Sequence, residues 1–368
     1  MSAEAVVASS FWTPGRKAVG IWLLVVAAVI AVMVTIGGLT RLTGSGLSIT
    51  EWDPIMGAIP PLSAQDWQEA FAKYRHIPQY IHENRGMSLD AFKGIYRWEW
   101  THRLLGRLLG VLFFVPFLFF AWRGAIGRRD IPRMIVLFLL GALQGFVGWW
   151  MVESGLETRV SVSQYRLALH LGVALILLAA ILWTAFEYLR PLSAISRTRE
   201  ISAAPSRGEV KWALAFVGLV YLQMLLGALV AGLHGGLIYN TWPSMGGRVF
   251  PEGTFTSQPW WINFFENAGL AQFDHRIGAY AVALSALALW IAGWRANISG
   301  LVRMSANALI GIVTFQIVLG IVTLLNQAPL LLAALHQATA VALLSVALWH
   351  AYELCRADAV QSAPAFSA

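Results

Sequence analysis

Residues 99–122 read E-W-T-H-R-L-L-G-R-L-L-G-V-L-F-F-V-P-F-L-F-F-A-W, a long apolar run behind a short polar head. The apolar part is long enough to cross a hydrocarbon core of about 30 Å as an α-helix. The head places Glu99, His102 and Arg103 at the point where that helix enters the membrane. Ionisable side chains in a span are costly, and they usually have a function. The stretch therefore predicts a membrane helix with a functional site at its entrance.

The rest of the chain has the same apolar character. Its 368 residues are 58% hydrophobic and only 12% charged, whereas soluble domains carry about 25% charged residues. The alternating pattern of a transmembrane barrel is absent, so the spans are predicted to be helices, which satisfy their own backbone in lipid. Eight spans are expected, because the longest further run breaks at about Gly232; the further runs cover residues 18–40, 134–152, 167–186, 212–247, 277–294, 304–325 and 329–352.

Lysine and arginine residues set the predicted orientation. They concentrate in the loops after the second, fourth and sixth spans, whereas the short loops 153–163 and 326–330 hold only Arg159. By the positive-inside rule, both termini face the cytoplasm. This bias accounts for most of the net charge of +7, so nucleic acid is not needed as a partner. The first run is too long for a typical signal peptide and is expected to remain as a span.

The two halves of the chain resemble each other. E-W-T-H-R-L-L-G-R (99–107) parallels Q-F-D-H-R-I-G-A-Y (272–280), and R-L-A-L-H-L (166–171) parallels L-A-A-L-H-Q (332–337). A nearly constant offset between the copies indicates a duplicated unit of four spans. Because four is an even number, both copies enter the membrane from the same side, and the repeat is parallel.

The repeat predicts an all-α polytopic membrane protein built as two pseudo-symmetric four-helix bundles. A shared Q-x-x-x-G pattern at 144–148 and 316–320 supports the same pairing. The predicted division is an N-terminal bundle over 1–190, a cytoplasmic linker over 191–210 and a C-terminal bundle over 211–368.

Four histidines lie at equivalent places in the repeat. His102, His170, His275 and His336 each lie in the first turns of an even-numbered span, which puts them near the outer face of the membrane. One such histidine is readily explained as an interhelical hydrogen-bonding residue, but four at related positions indicate ligands. The remaining histidines fit surface or structural roles better; they are His76, His82, His234 and His350.

Two facing histidines in each bundle favour haem over zinc. Zinc needs a third or fourth protein ligand, and Cys355, the only cysteine, is expected at the cytoplasmic side. Haem needs only two axial ligands, which facing helices supply. Arg103 and Arg276 each follow one of the histidines and are candidates for binding propionates. Small residues would admit the ring; they are Gly106, Gly110, Gly145, Gly148, Gly172, Gly278, Gly311 and Gly320.

The two halves differ beside the histidine. Glu99 stands three residues before His102, whereas Gln272 stands three residues before His275. This spacing places Glu99 on the same helix face as His102. A carboxylate there is unnecessary for electron transfer, but it could act as a general base or stabilise developing positive charge. An ordinary ion pair with Arg103 at i+4 is the alternative.

Seven motifs, spread from the first span to the last, carry a resemblance to a known family. They are G-G-L-T-R-L-T-G-S-G-L-S-I-T-E-W (37–52), F-K-G-I-Y-R-W-E-W-T-H-R (92–103), Q-G-F-V-G-W-W-M-V-E-S-G-L (144–156), Y-R-L-A-L-H-L (165–171), Y-N-T-W-P-S-M-G-G (239–247), Q-F-D-H-R (272–276) and L-H-Q-A (335–338). In combination they are highly specific, and they resemble the haem A synthase family of alphaproteobacteria and mitochondria.

The resemblance implies a reaction and a division of labour. Haem O would be oxidised to haem A, with a ring methyl becoming a formyl group through successive hydroxylations and loss of water. Glu99 would be the catalytic glutamate. The residues of the substrate haem would be His102 and His170, with Arg103 beside them. The residues of a permanent haem b that passes electrons on would be His275 and His336, with Arg276 beside them.

The resemblance also implies a cellular setting. The protein would lie in the bacterial inner membrane and serve cytochrome oxidase biogenesis, surrounded by lipid. It would receive haem O from a haem O synthase and serve oxidase assembly factors, and a homo-oligomer is compatible with this role. Some family members have a cysteine pair in the first outer loop. This chain lacks that pair, so a mechanism that needs it does not apply.

Two other functions fit part of the pattern. A two-haem b-type membrane cytochrome would transfer electrons without modifying haem, and bis-histidine ligation alone does not separate it from an enzyme. Glu99 opposite Gln272 favours the enzyme. A transporter built on parallel repeats would carry polar residues at mid-membrane, whereas here they cluster at the outer ends of the spans.

Overall fold

The structure is a computed structural model that describes residues 14–53, 56–157, 159–190 and 205–362. Over these residues the chain is helical and has no β-strands. Eight helices are long and apolar enough to cross a membrane, which is the predicted number. They are α1 (Pro14–Leu42), α2 (Leu89–Trp122), α3 (Ile131–Glu153), α4 (Gln164–Leu189), α5 (Arg207–Gly232), α6 (Ala268–Arg295), α7 (Gly300–Leu325) and α8 (Leu330–Ser362).

Most helix limits follow the apolar runs, but α2 does not. The predicted break in the longest run is confirmed, because α5 ends at Gly232. In contrast, α2 begins at Leu89, far ahead of its apolar run, with Ser88 as the N-cap residue that accepts a hydrogen bond from Ala91 N at 3.2 Å. His102 therefore lies about four turns into its helix, and not in the first turns as predicted. The other three histidines do lie in the first turns of their helices.

Each half closes into a ring of four helices. In the first half α1 contacts α2, α2 contacts α3, α3 contacts α4, and α4 returns to α1. In the second half α5, α6, α7 and α8 repeat the same order of contacts. The matching neighbours are consistent with two related four-helix bundles, in which facing helices can share a site in the interior.

The two rings meet through their first and last helices. α4 contacts both α5 and α8, and α1 contacts α8. This pattern is the one that a two-fold relation along the membrane normal produces, because each ring presents the same pair of helices. One buried apolar core runs through both rings; its members on α4 and α8 include Leu175, Leu178, Ile181, Ala185, Val341, Leu344 and Leu348.

The loop after α1 lies against the start of α2. Gly44 accepts a hydrogen bond through its carbonyl oxygen from Gln79 Nε2 at 3.0 Å, and Gln79 Oε1 accepts one from Tyr74 Oη at 3.0 Å. Burial raises the pKa of the Tyr74 phenol, which keeps it a donor. A small buried cluster fixes the loop further; it consists of Leu47, Tyr74, Ile77 and Phe92.

The predicted linker 191–210 is only partly visible. Residues 191–204 lie outside the described residues. α5 begins at Arg207 after the N-cap residue Ser206, so the last part of the predicted linker belongs to this helix. The division into two domains and the side of the membrane that holds the termini stay predictions.

Candidate functional site

Each of the four predicted ligand histidines packs against a glycine on the preceding helix. A Cβ atom added to these glycines would lie only 2.8 to 3.1 Å from Cε1 of the imidazole. A larger residue would displace the ring, so the sequence needs glycine there. Gly37 and Gly227 were not among the glycines that the sequence predicted to make room for a haem ring. The pairs are Gly37 with His102, Gly148 with His170, Gly227 with His275 and Gly320 with His336.

The two histidines of the second half face each other across their ring of helices. The centres of the His275 and His336 imidazoles are 6.5 Å apart, and the ring planes are inclined by 79°. A metal–nitrogen bond measures about 2.0 Å, so two imidazoles on opposite sides of one metal ion have centres roughly 6 Å apart. In the first half His102 and His170 occupy the equivalent helices, α2 and α4.

Three of the histidines are also held by a glutamine one turn before the facing glycine. Each glutamine donates a hydrogen bond from Nε2 to the backbone carbonyl oxygen of its histidine, at 3.0, 2.8 and 3.0 Å. The same Nε2 atoms lie 3.1 to 3.4 Å from a ring nitrogen. In the described part of the chain, all three Oε1 atoms are buried without a hydrogen-bond partner. The pairs are Gln144 with His170, Gln223 with His275 and Gln316 with His336.

The sequence contained the signal for this third copy. Q-x-x-x-G occurs at 223–227 as well as at the two predicted positions, 144–148 and 316–320. On α1 the corresponding residue, one turn before Gly37, is Met33. Its Cε atom lies 3.7 Å from the position of a Cβ atom on Gly106, one turn beyond His102. Nδ1 of His102 is buried and has no hydrogen-bond partner among the described residues.

Glu99 is 3% exposed, and both of its carboxylate oxygens accept hydrogen bonds. Oε1 accepts from Arg103 Nε at 3.1 Å and from Arg103 Nη2 at 2.7 Å. Oε2 accepts from Ser48 Oγ at 2.7 Å and from Ile49 N at 2.9 Å. Arg103 also donates to Glu51 O at 3.0 Å and to Ile49 O at 2.9 Å. The ion pair considered as the alternative is therefore present, and together the pair anchors the loop after α1.

The second half follows the same plan with the donor and acceptor reversed. Gln272 Nε2 donates to Tyr239 O at 3.2 Å, where the Glu99 carboxylate accepts. Arg276 Nη2 donates to the same carbonyl oxygen at 3.0 Å. Nη1 of Arg276 makes a longer contact with Ser244 O at 3.3 Å. An amide thus replaces the carboxylate in an otherwise matching contact between a helix and the preceding loop.

The other histidines do not join this group. His350 lies about four turns along α8 from His336, where Nδ1 is 2.9 Å from Ser305 Oγ. His234 follows α5 at a positive φ of 54°. Burial lowers the pKa of His234, and the nearby Arg41 lowers it further. Across the part of the chain that the structure describes, no group of three or more histidine, cysteine, aspartate or glutamate residues is arranged to hold a metal ion.

Comparison with known proteins matches the chain along nearly its whole length. Residues 20–348 match the family described as cytochrome oxidase assembly protein. This chain belongs to that family. A heme A synthase of Parvibaculum lavamentivorans is 48% identical over 342 residues, which are 93% of this chain and 95% of the relative. A heme A synthase of Bradyrhizobium diazoefficiens is 49% identical over 350 residues, 95% of this chain and 94% of the relative.

A third relative, the heme A synthase of Nitrosospira multiformis, is 45% identical and covers 93% of this chain. The resemblance inferred from the motifs is thus confirmed. Each of these matches covers both halves of the chain.

The residues of this family member fit haem. The imidazoles of His275 and His336 are spaced for one iron. Nδ1 atoms of His102 and His336 are buried without a hydrogen-bond partner among the described residues. A bare imidazole with a buried unpaired nitrogen is unfavourable, and a ligand or its surrounding polar groups would relieve that cost.

Proposed function

We propose that this protein is a haem A synthase, a membrane oxidoreductase that converts a ring methyl of haem O into the formyl group of haem A. The overall reaction consists of successive hydroxylations and loss of water. The observation that carries the proposal is the contrast between Glu99 and Gln272 at matching places beside two matching histidines. Electron transfer alone does not require a carboxylate beside the histidine of one half. The names of the relatives point to the same activity.

His102 and His170 are the proposed ligands of the substrate haem, and His275 and His336 those of a resident haem b. The 6.5 Å spacing supports the second pair, and the shared glycine contacts support the first by analogy. When bound, the substrate haem supplies its own iron and the methyl group that is oxidised. The protein's part is to hold that haem in one orientation, exclude water from it and provide a charge beside it.

Glu99 is the proposed source of that charge. The Arg103 ion pair and the bonds from Ser48 and Ile49 fix its carboxylate next to the turn that carries His102. A preorganised carboxylate stabilises positive charge as it develops on a reacting carbon, and such fixed charges are often the largest catalytic contribution. It could also accept a proton from an attacking water.

The two arginines are proposed to meet haem propionates, although not equally. The contacts of Arg276 with Ser244 O and Pro243 O measure 3.3 and 3.5 Å, at the long limit for hydrogen bonds. They can be exchanged for a propionate at little cost. Arg103 makes shorter bonds with Glu99 and Ile49. Its first role is therefore to position the carboxylate, with a propionate as an additional partner.

The family description, cytochrome oxidase assembly protein, supports a role in the assembly of that oxidase. We propose the bacterial inner membrane as its location, with both termini in the cytoplasm. A haem O synthase would supply the substrate, and oxidase assembly factors would use the product. Contacts with lipid follow from the eight apolar helices.

Extraction of pigment from the purified protein, followed by chromatography, tests the function. We expect haem b together with haem O or haem A, because one site is resident and the other carries substrate or product. If haem b is the only pigment and fills both sites, the proposal is refuted in favour of a two-haem cytochrome. Expression with and without a haem O synthase provides the control, since only the first-half pigment should change.

A further inference from the structure

The asymmetry between Met33 and the three glutamines has a consequence for how long each haem is held, given the proposed function. A substrate site must take up haem O and release haem A, whereas a resident haem b must stay. A haem held between two histidines would leave only after one of the two imidazoles had moved away from it. The protein therefore needs one ligand that dissociates from the haem more easily than the other three.

The glutamines restrain three of the four ligands. Each amide hydrogen-bonds the carbonyl oxygen of the histidine at 2.8 to 3.0 Å and touches a ring nitrogen of the same residue. The glycine one turn further along the helix contacts the same edge of the ring, at Cε1 between the two nitrogens. Helix register and ring orientation are thus set before a haem arrives. Such preorganisation lowers the entropic cost of binding.

His102 lacks this restraint. The residue in the place of the glutamine is Met33, whose flexible thioether donates no hydrogen bond. The glycine contact is retained, since a Cβ atom on Gly37 would lie 3.0 Å from His102 Cε1. His102 therefore contacts its glycine, but no glutamine donates to it from the neighbouring helix.

We propose that Met33 makes His102 the exchangeable ligand of the substrate haem, and that Gln144, Gln223 and Gln316 are positioning residues that hold the other three ligands. His170 then keeps the haem in the first half while His102 opens. In the second half both ligands are restrained, which retains haem b. A single residue in the repeated pattern therefore distinguishes the site that exchanges its haem from the site that retains it.

The substitution Met33→Gln tests the proposal directly. It should slow the transfer of first-half haem from the purified protein to apomyoglobin by about fivefold, equivalent to ~1 kcal/mol, the net contribution of one hydrogen bond. Carbon monoxide added to the reduced protein should bind the first-half haem in the wild type and bind it less in Met33→Gln. Val32→Gln is the matched control, because Val32 is 54% exposed and turned away from the site. It should leave both measurements at the wild-type value.

Two further variants keep the test decisive. Gln223→Met should speed the loss of haem b by a similar factor, and Gln144→Met should speed loss from the first half. The Gln223→Met result stands even if the first half proves to hold no substrate haem, so the failure of the enzyme function can be told apart from the failure of this proposal. Equal transfer rates in Met33→Gln and Val32→Gln, with the haem b spectrum intact, would overturn it. Unchanged haem b release in Gln223→Met would do the same for the positioning role.

Discussion

Glu99 has a carboxylate oxygen where Gln272 has an amide NH₂ group. This difference decides whether the preceding loop must supply hydrogen-bond donors or acceptors. The carboxylate accepts from Ser48 Oγ and Ile49 N, whereas the amide donates to Tyr239 O. Each loop supplies groups of the opposite kind. The first loop therefore supplies donors to a negative charge, whereas the second supplies an acceptor to a neutral amide.

The variant Glu99→Gln gives the first half the residue of the second half and should remove catalysis while leaving the second ring intact. We expect haem A formation to fall by about two to three orders of magnitude, the usual effect of removing a preorganised charge-stabilising group. Haem b content should stay at the wild-type level, because His275 and His336 lie in the other ring. Chromatography of extracted haem O and haem A measures the outcome.

Glu187→Gln is the control for this experiment. Glu187 is also an ion-paired carboxylate, with Arg133, but it lies near the opposite end of the first bundle. Its loss should leave the ratio of haem A to haem O unchanged. Wild-type haem A production by Glu99→Gln would remove this residue from the mechanism.

The ligand assignment of the second half leads to another residue-level test. His275→Ala should abolish the haem b spectrum, since a bis-histidine site loses one of its two axial bonds. His350→Ala should keep the spectrum. The His350 imidazole lies about four turns along α8 from His336, where it contacts Ser305 of α7. Difference spectra of the purified variants measure both. A normal haem b spectrum in His275→Ala would refute the assignment.

Repeats and i, i+4 spacing are visible in one dimension, so the sequence alone pairs the four histidines between the halves and predicts the ion pair of Glu99 with Arg103, which the structure contains. It did not reveal that Gly37 and Gly227 touch imidazoles. Periodicity does not say which face of α1 or α5 turns toward the neighbouring helix. The Q-x-x-x-G pattern at 223–227 indicates the face of α5 that contacts a histidine. The matching segment of α1 begins with Met33 instead of glutamine, so the pattern does not identify it.

At the scale of the helices, the glycine contacts determine how closely α7 can approach α8. A Cβ atom on Gly320 would lie 2.8 Å from His336 Cε1, closer than atoms pack in protein interiors. Gly320→Ala should therefore rotate the imidazole or separate the helices, and haem b content per protein should fall severalfold. The absorbance of haem b relative to protein measures the effect.

Gly311→Ala provides a matched control on the same helix. The two positions are nine residues apart and so lie on opposite faces of α7. A Cβ atom on Gly311 would meet nothing within 4 Å. Its haem b content should equal that of the wild type. Equal loss in both variants would show that alanine harms α7 in general, and not the contact with His336.

The start of α2 shows why one element escaped prediction. The hydropathy pattern begins at the apolar run, yet the helix begins at Leu89. Its first part is polar and is stabilised by the Ser88 cap and by packing of Phe92 against Tyr74. These contacts depend on the fold of the outer segment, which no local pattern encodes. The extension matters for the site because it carries Glu99 within a rigid helix.

At the scale of the whole molecule, the two rings are joined by polar contacts close to both sites. Gln337, next to His336, donates to Val34 O on α1 at 2.6 Å. On α4, Gln164 donates to Glu266 Oε2 at 2.9 Å. These bonds cross between helices that the repeat assigns to different halves. The halves therefore form a single body in which the two proposed haem sites lie on neighbouring helices.

This arrangement predicts that the connection between the halves is dispensable. Residues 1–196 and 197–368, co-expressed as separate chains, should assemble and copurify with haem b. The contacts of α1 with α8 and of α4 with α5 and α8 do not involve the linker. Copurification through a tag on one fragment, followed by haem extraction, measures assembly.

The polar links set how strongly the fragments associate. Gln337→Leu in the second fragment removes the bond to Val34, and one interhelical hydrogen bond in a membrane contributes about 0.6 kcal/mol. Recovery of the partner fragment should therefore fall by about threefold and not be abolished, because the apolar core across α4 and α8 remains. Fragments that each retain haem yet never copurify would show that the rings are held together only by the covalent connection.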